Sequence, residues 1–175
     1  MSINMTKKAF IITGPESSGS VFIARVIANY VGATKNMNDW SGYGRCDSIK
    51  PNIKVLHLSQ PSGAWNDSKY TTLSQFREEY KGMELYFIIT TRYHECSNLS
   101  KLRRFSKRCP NVVKDMARSK SVLSEIIKSD EKHFIWNYET MLYLNEVYFD
   151  LLYDFIGGIK KHYPKLKDGN KNYMK

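Results

Sequence analysis

The sequence predicts a three-layer α/β protein in which a central, mainly parallel sheet of four to five strands is flanked by helices. Two observations indicate this class. Four short apolar segments have the length of buried strands, and amphipathic helical patterns lie between them along the chain. The 175 residues, 42% of them hydrophobic, suffice for a core, and no repeat or boundary divides residues 1–175 into more than one domain.

The predicted strands are short runs rich in β-branched and aromatic residues. They are residues 8–13, 53–58, 84–91 and 133–138. The third run, ELYFIITT, is almost continuously apolar, which is typical of a parallel strand covered on both faces. Ligands of open α/β sheets bind outside the carboxyl ends of the strands, so the residues that follow each strand are candidates for a site.

Helical periodicity occupies most of the intervals between the predicted strands. Helices are expected at 19–31, 70–81, 94–106, 111–128 and 139–157. Gly32 and Gly157 are placed to end the first and last of them. Residues 33–52 and 59–70 are expected to form long loops, and the basic segment 165–175 is expected to be a loose or ligand-ordered tail.

Charge and cysteine content narrow the classes of function. The formal net charge is +10, and nine basic residues against two acidic ones lie between positions 92 and 120, so this segment should attract anions. No apolar run has the length of a membrane span, and the N-terminus lacks a signal-peptide pattern. The three cysteines, Cys46, Cys96 and Cys109, have no metal-binding or CxxC spacing. We expect a cytoplasmic protein with reduced thiols.

The segment GPESSGS, residues 14–20, lies between the first strand and the first helix. Its two glycines have the spacing of the phosphate-binding motif GxxxxGK[ST], which predicts a P-loop NTPase-like fold. Such a loop binds an anion through backbone amides at the positive end of a helix, and hydroxyls add further donors. The alternative is an ordinary strand–helix turn with a serine cap. The expected anion-binding residues are Gly14, Pro15, Glu16, Ser17, Ser18, Gly19 and Ser20.

The loop lacks two residues that a nucleotide-hydrolysing site needs. Ser20 stands at the lysine position of the motif, and Val21 stands where a Mg²⁺-binding Ser or Thr is required, which argues against ATP hydrolysis. Another cation must then stabilise the charge that develops on a transferred group. The candidates are Arg25, one helical turn further on, and Lys165 or Lys167 of the basic tail.

Three further candidates follow the other strands. Arg92 ends the third strand and Ser100 lies eight residues later, so the two could hold one phosphate, with the planar guanidinium bonding two oxygens. His57 ends the second strand and could remove a proton from an attacking hydroxyl, although a packed core histidine is the alternative. Tyr138 could stack on a base, and Glu139 could cap the helix that follows.

In this order the motifs resemble those of the sulfotransferase family, whose P-loop-type enzymes use 3′-phosphoadenylyl sulfate (PAPS). The resemblance covers residues 9 to about 140, and GPESSGS is similar to a bacterial and phage branch of the superfamily. It implies that Ser17–Ser20 bind the 5′-phosphosulfate and that His57, in HLSQP, is the base. It also implies that Arg92 with Ser100 binds the 3′-phosphate, while Tyr138, in NYET, lies near the adenine.

The resemblance implies sulfuryl transfer from PAPS to a hydroxyl, with release of 3′,5′-ADP and no metal requirement. The acceptor is unknown, a saccharide being one candidate, and aromatic residues of the two long loops could line its site: Trp40, Tyr43, Trp65 and Tyr70. The family's loop lysine aligns with Ser17, so the catalytic candidates are His57, Ser17 and Arg25. The family's nucleotide-covering loop is at most partly similar to KLKDG, residues 165–169.

Two other functions stay open at this point. A P-loop kinase acting on a small molecule or nucleotide would share the fold, although the missing lysine and Mg²⁺ ligand count against it. A non-catalytic protein could instead bind nucleic acid through residues 92–120. That segment has no recognition motif, and its basic residues are not interleaved with aromatic side chains.

Overall fold

The computed structural model describes residues 6–62, 69–105, 112–157 and 162–173, without the side chains of 104–105 and 112–116. Within these ranges five strands and six helices follow one another. The strands are β1 (Lys8–Gly14), β2 (Gly44–Cys46), β3 (Ile53–Ser59), β4 (Glu84–Thr91) and β5 (Lys132–Asn137). The helices are α1 (Ser20–Tyr30), α2 (Leu73–Glu79), α3 (His94–Phe105), α4 (Val112–Lys128), α5 (Tyr138–Leu144) and α6 (Glu146–Ile156), followed by a 3₁₀ turn at Asn170–Asn172.

The five strands form one sheet in the order β2-β3-β1-β4-β5, and β1 is its centre. The short β2 runs antiparallel to β3, whereas β3, β1, β4 and β5 are mutually parallel. The predicted mainly parallel α/β sheet is therefore confirmed. In this register the carboxyl ends of the four parallel strands meet at one edge, where Gly14 aligns with Ser59 and Thr13 with Ile89.

Apolar layers cover both faces of the sheet, because side chains of a strand alternate between its faces. On one face Phe10 and Ile12 pack with residues of α1, α5 and α6. On the other face Ala9 and Ile11 pack with residues of α2 and α4. The central strand is buried on both sides, which holds the loop after Gly14 on a rigid support.

Two predicted segments differ from the observed ones. The predicted loop 33–52 contains β2, whose three residues are too few to give an alternating pattern. The single helix predicted at 139–157 is wrong, because Asn145 separates α5 from α6 with a φ of 49°. Asparagine tolerates this left-handed conformation better than most residues, so the apolar periodicity continues while the backbone turns.

The tail, which was expected to be loose or ligand-ordered, makes specific contacts over residues 162–173. Tyr163 and Leu166 pack against the core layer of α6, and the Tyr163 hydroxyl donates a hydrogen bond to Asp150. Asn170 is only 5% exposed. The segment is held because it buries apolar side chains as well as presenting lysines. Within the described residues, no helix is long and apolar enough to cross a membrane.

Candidate anion-binding site

The loop between β1 and α1 needs glycine at both motif positions. A Cβ atom at Gly14 would lie 2.3 Å from the carbonyl oxygen of Thr90, so β1 and β4 could not keep this spacing. Gly19 has a φ of 85°, and a Cβ atom there would lie 2.9 Å from the ring of Tyr138. Glycine is therefore required at Gly14 by close approach and at Gly19 by both backbone conformation and packing.

Backbone amides and one hydroxyl of this loop lack partners. Ser17 has a φ of 64°, and among the described residues none accepts a hydrogen bond from the amides of Ser17, Gly19 or Ser20. The Ser17 hydroxyl oxygen is buried and has no partner in the described part of the chain. Helix α1 begins directly after these amides and has no acidic residue in its first turn. The arrangement is that of an anion nest at a helix N-terminus.

Ser18 supports the loop and points into the protein. It is 1% exposed, and its hydroxyl lies 2.7 Å from the Thr90 hydroxyl. Because the Thr90 hydroxyl donates to the carbonyl oxygen of Thr13, Ser18 is the donor in its bond with Thr90. This hydrogen bond fixes the loop to β4. Of the two neighbouring serines, only Ser17 has a hydroxyl without a hydrogen-bond partner among the described residues.

His57 lies behind the loop and shares a 2.8 Å hydrogen bond between its Nε2 and the hydroxyl of Ser20. It is 4% exposed because its backbone pairs with Ile12 of β1 and Gly44 of β2, and the Tyr43 ring lies 5.7 Å away. Burial lowers the pKa of His57 to about 4, against a smaller opposing effect of the Gly42 backbone. His57 is therefore neutral at pH 7 and contacts the loop through Ser20.

Arg92 lies against the loop from the end of β4. Its Nη1 donates to the carbonyl oxygen of Ser17 at 3.2 Å, and its Nε donates to Asn170 at 2.8 Å. Its guanidinium carbon lies 4.7 Å from the ring centroid of Tyr138 and 5.4 Å from that of Tyr173. The structure thus brings Arg92, Tyr138 and the glycine loop together, and it adds two residues of the tail.

The predicted pairing of Arg92 with Ser100 involves the tail as well. Ser100 is 6% exposed on α3. Hydrogen bonding to the Ser100 side chain lowers the pKa of the Tyr173 hydroxyl, and the nearby Arg103 and Arg92 lower it further. The Tyr173 side chain thus lies close to Ser100 and Arg92, the two residues that the sequence predicts to hold a phosphate.

Two residues at the start of α5 hold the tail in place. The Tyr138 hydroxyl donates to the carbonyl oxygen of Lys167 at 3.0 Å and accepts from the amide of Gly169 at 2.9 Å. Glu139 accepts from the amide of Tyr93 and from the side chain of Asn170. The expected helix cap is thus not Glu139; Asn137 caps α5 by accepting from the amide of Thr140.

A cavity of about 530 Å³ opens beside the loop, between α3 and α4. Pro15 and Glu16 form one wall, and Ile89, Leu123 and Ile127 add apolar surface. Lys101 lines the cavity, is 6% exposed and places its Nζ 3.4 Å from a carboxylate oxygen of Glu16. Sequence reasoning counted Lys101 only as part of a basic segment. No sequence signal distinguished it from its neighbours, because its burial results from the packing of α3 against the loop.

Of the other candidate cations, Arg25 is bonded to a different segment of the chain. Arg25 donates from its Nε to the carbonyl oxygen of Met37 and from its Nη2 to the side chain of Asn38. Lys165 and Lys167 are exposed. The structure therefore does not bring the catalytic candidate Arg25 to the nest in this conformation.

The structure describes three of the four aromatic candidates for an acceptor site. Trp40 donates from its indole nitrogen to the carbonyl oxygen of Tyr43, whose ring faces His57. The Tyr70 ring lies 4.6 Å from the guanidinium carbon of Arg118. Trp65 lies outside the described residues. Trp40 and Tyr43 thus lie together, and Tyr70 lies beside Arg118.

No protein-family model matches the chain, and no curated protein or solved structure is similar enough to count as a match. The function can therefore be inferred only from the residues of this chain and from their geometry. These define an α/β protein with a glycine loop at the carboxyl edge of its sheet, in which the amides of Ser17, Gly19 and Ser20 have no partner among the described residues.

Proposed function

We propose that the protein is a sulfotransferase that transfers the sulfuryl group of PAPS to a hydroxyl of an acceptor. The observation that carries this proposal is the nest at residues 14–20, with its unpartnered Ser17 hydroxyl and with Arg92 bonded to the Ser17 carbonyl. A nucleotide with charged groups at both ends of its ribose requires two neighbouring anion sites. The nest is one, and Arg92 with Ser100 is the other.

The residues of the nest fit the 5′-phosphosulfate. The Ser17 hydroxyl and the amides of Ser17, Gly19 and Ser20 supply donors that nothing in the described residues uses. Binding an anion there satisfies buried polar groups that are costly to leave unpaired. When bound, PAPS would supply the activated sulfuryl group, and these donors would hold and orient it.

The second anion site fits the 3′-phosphate once the Tyr173 hydroxyl of the tail has left Ser100. Arg92 has a planar fork of donors, which suits a phosphate better than a neutral phenol does. The 3′-phosphate would replace the Tyr173 hydroxyl at Ser100 and keep Arg92 between its aromatic neighbours. Tyr138 would then lie beside the ribose and adenine, as the resemblance implies.

His57 is proposed to accept the acceptor's proton through Ser20. Since His57 is 4% exposed and bonded to the Ser20 hydroxyl, direct contact with an acceptor would need both residues to move. A proton relay needs less movement, because Ser20 can donate its proton to the His57 Nε2 as it receives the proton of the acceptor hydroxyl. His57 is uncharged at neutral pH, and the relay requires the tautomer in which Nε2 carries the lone pair and accepts from the Ser20 hydroxyl.

The first experiment is a calorimetric titration with 3′,5′-ADP, compared with ATP in the presence of Mg²⁺. Micromolar binding of 3′,5′-ADP and little response to ATP would support the sulfotransferase and justify an acceptor screen with PAPS. A preference for Mg-ATP would move the function to a kinase. Tight, steeply salt-dependent binding of nucleic acid with no response to either nucleotide would favour the basic binding protein.

A further inference from the structure

We propose that Lys101 of α3 is the cation of the glycine loop, in place of the lysine that the loop motif lacks. In the absence of an anion, Lys101 is paired with the carboxylate of Glu16. The inference depends on the loop being an anion site, as the proposed function also does. It assigns a role to a side chain outside the loop motif.

The burial of Lys101 is the first reason. Lysine is almost never buried without a partner, and Lys101 is 6% exposed. Its Nζ faces one carboxylate, that of Glu16, at 3.4 Å, which is longer than a good charge-assisted hydrogen bond. A buried ammonium interacts more strongly with a ligand charge than an exposed one, since water screens it less.

The position of Glu16 within the loop is the second reason. Glu16 lies between Gly14 and Ser17, so a cation held by its carboxylate is held beside the nest. Ser20, at the motif's lysine position, is a hydroxyl whose partner is His57. Arg92 reaches the loop at the Ser17 carbonyl. Lys101 is therefore a second cation at the loop, contributed by α3.

The sign of the Glu16 charge is the third reason. A carboxylate beside an anion site opposes the binding of an anion, and it also competes for the ammonium. If the ion pair of Lys101 and Glu16 only supports the fold, loss of either partner should weaken anion binding in the same way. If Lys101 serves the anion, its removal weakens binding, whereas neutralising Glu16 strengthens binding. The two variants should thus have effects of opposite sign.

The experiment measures binding of inorganic pyrophosphate and of 3′,5′-ADP to the full chain by calorimetry, without a divalent metal. The variants are Lys101→Met, Lys101→Arg, Glu16→Gln and the double variant Glu16→Gln/Lys101→Met. Lys128→Met, which removes an exposed lysine at the end of α4, is the control for net charge. Thermal unfolding of each variant shows whether it folds, and the double variant removes the unpaired buried charge that a single substitution leaves.

The expected result is at least 10-fold weaker binding of both probes by Lys101→Met and severalfold tighter binding by Glu16→Gln. The double variant should regain thermal stability while its binding stays weak, and Lys101→Arg should retain most of the affinity. Equal weakening by Lys101→Met and Glu16→Gln, or restored binding in the double variant, would overturn the proposal. Failure of the wild-type chain to bind either probe would overturn it as well.

The two probes separate this inference from the proposed function. Pyrophosphate tests the loop alone, whereas 3′,5′-ADP also requires the site at Arg92 and Ser100. Binding of pyrophosphate that depends on Lys101, together with no binding of 3′,5′-ADP, would support the role of Lys101 and overturn the sulfotransferase. Binding of both probes with no dependence on Lys101 would overturn the role of Lys101 and support the sulfotransferase.

Discussion

The guanidinium carbon of Arg92 lies 4.7 Å from the ring centroid of Tyr138, and the same guanidinium bonds the Ser17 carbonyl of the glycine loop. Tyr138 in turn packs on Gly19 and bonds the tail at Lys167 and Gly169. Three segments that are distant in sequence therefore meet on one cation. A ligand that binds Arg92 must affect the loop and the tail together.

Replacing Arg92 by Ala should weaken binding of 3′,5′-ADP by roughly 10- to 100-fold, since it removes a charge-assisted partner of the phosphate. Arg92→Lys should recover only part of this loss, because an ammonium lacks the planar fork. Calorimetry provides the measurement. Arg77→Ala, which removes a guanidinium paired with Asp130 and Glu131 at a different place on the fold, is the control. Unchanged affinity in Arg92→Ala would contradict the assignment.

Tyr173→Phe should strengthen binding of 3′,5′-ADP severalfold and leave binding of 5′-AMP unchanged. The substitution removes the hydroxyl that bonds Ser100 while keeping the ring beside Arg92. Only 3′,5′-ADP carries the phosphate that competes for this position. Equal effects on the two nucleotides would show that the Tyr173 hydroxyl does not occupy a phosphate position.

Gly19→Ala should weaken anion binding at least 10-fold, because a Cβ atom would meet the Tyr138 ring and disturb the nest. Gly82→Ala is a matched control. Gly82 has a φ of 80°, close to the 85° of Gly19, and a Cβ atom there would meet nothing within 4 Å. Both variants should lose about 1–2 kcal/mol of stability from the left-handed backbone. If pyrophosphate binds equally well to both, the contact with Tyr138 does not shape the nest.

Asn170→Ala should lower the free energy of unfolding by about 1–3 kcal/mol, because it removes the partner of the Arg92 Nε and of one carboxylate oxygen of Glu139. Asn172→Ala, at an exposed position two residues later, should change it little. Urea unfolding of both variants gives the comparison. Similar small changes in the two would mean that the tail contributes little to the stability of the site.

The stability of the protein should fall as the pH is lowered from about 6.5 to about 4, and His57 is the reason. In the unfolded chain this imidazole takes up a proton near its ordinary pKa of about 6.5, whereas in the folded protein burial delays protonation to about 4. The unfolded state therefore binds more protons throughout this window. The loss amounts to about 3 kcal/mol once both pKa values are passed.

Urea unfolding at a series of pH values measures this effect. His57→Gln should flatten the dependence between pH 4 and pH 6.5. His94→Gln, at the exposed start of α3, should leave it as in the wild type. A wild-type slope that survives in His57→Gln would assign the effect to other groups.

The positions of the four parallel strands, and of the residues that follow them, could be predicted from the sequence. The run ELYFIITT and its three counterparts are apolar enough to require burial in a sheet, and parallel strands necessarily end at one edge. The roles of Gly14 and Gly19 could also be predicted. Their backbone requirements are local, so the glycines that satisfy them are visible in the sequence.

The partners of each side chain were decided only by the tertiary structure. Lys101 and Arg103 look alike in the sequence, yet one is buried against Glu16 and the other is exposed on the same helix. Likewise β2 and Tyr43 enclose His57, and Tyr173 reaches Ser100. Periodicity and spacing describe neighbours along the chain. The burial and the charge environment of a side chain depend on segments tens of residues away, whose approach is determined by the packing of the whole fold.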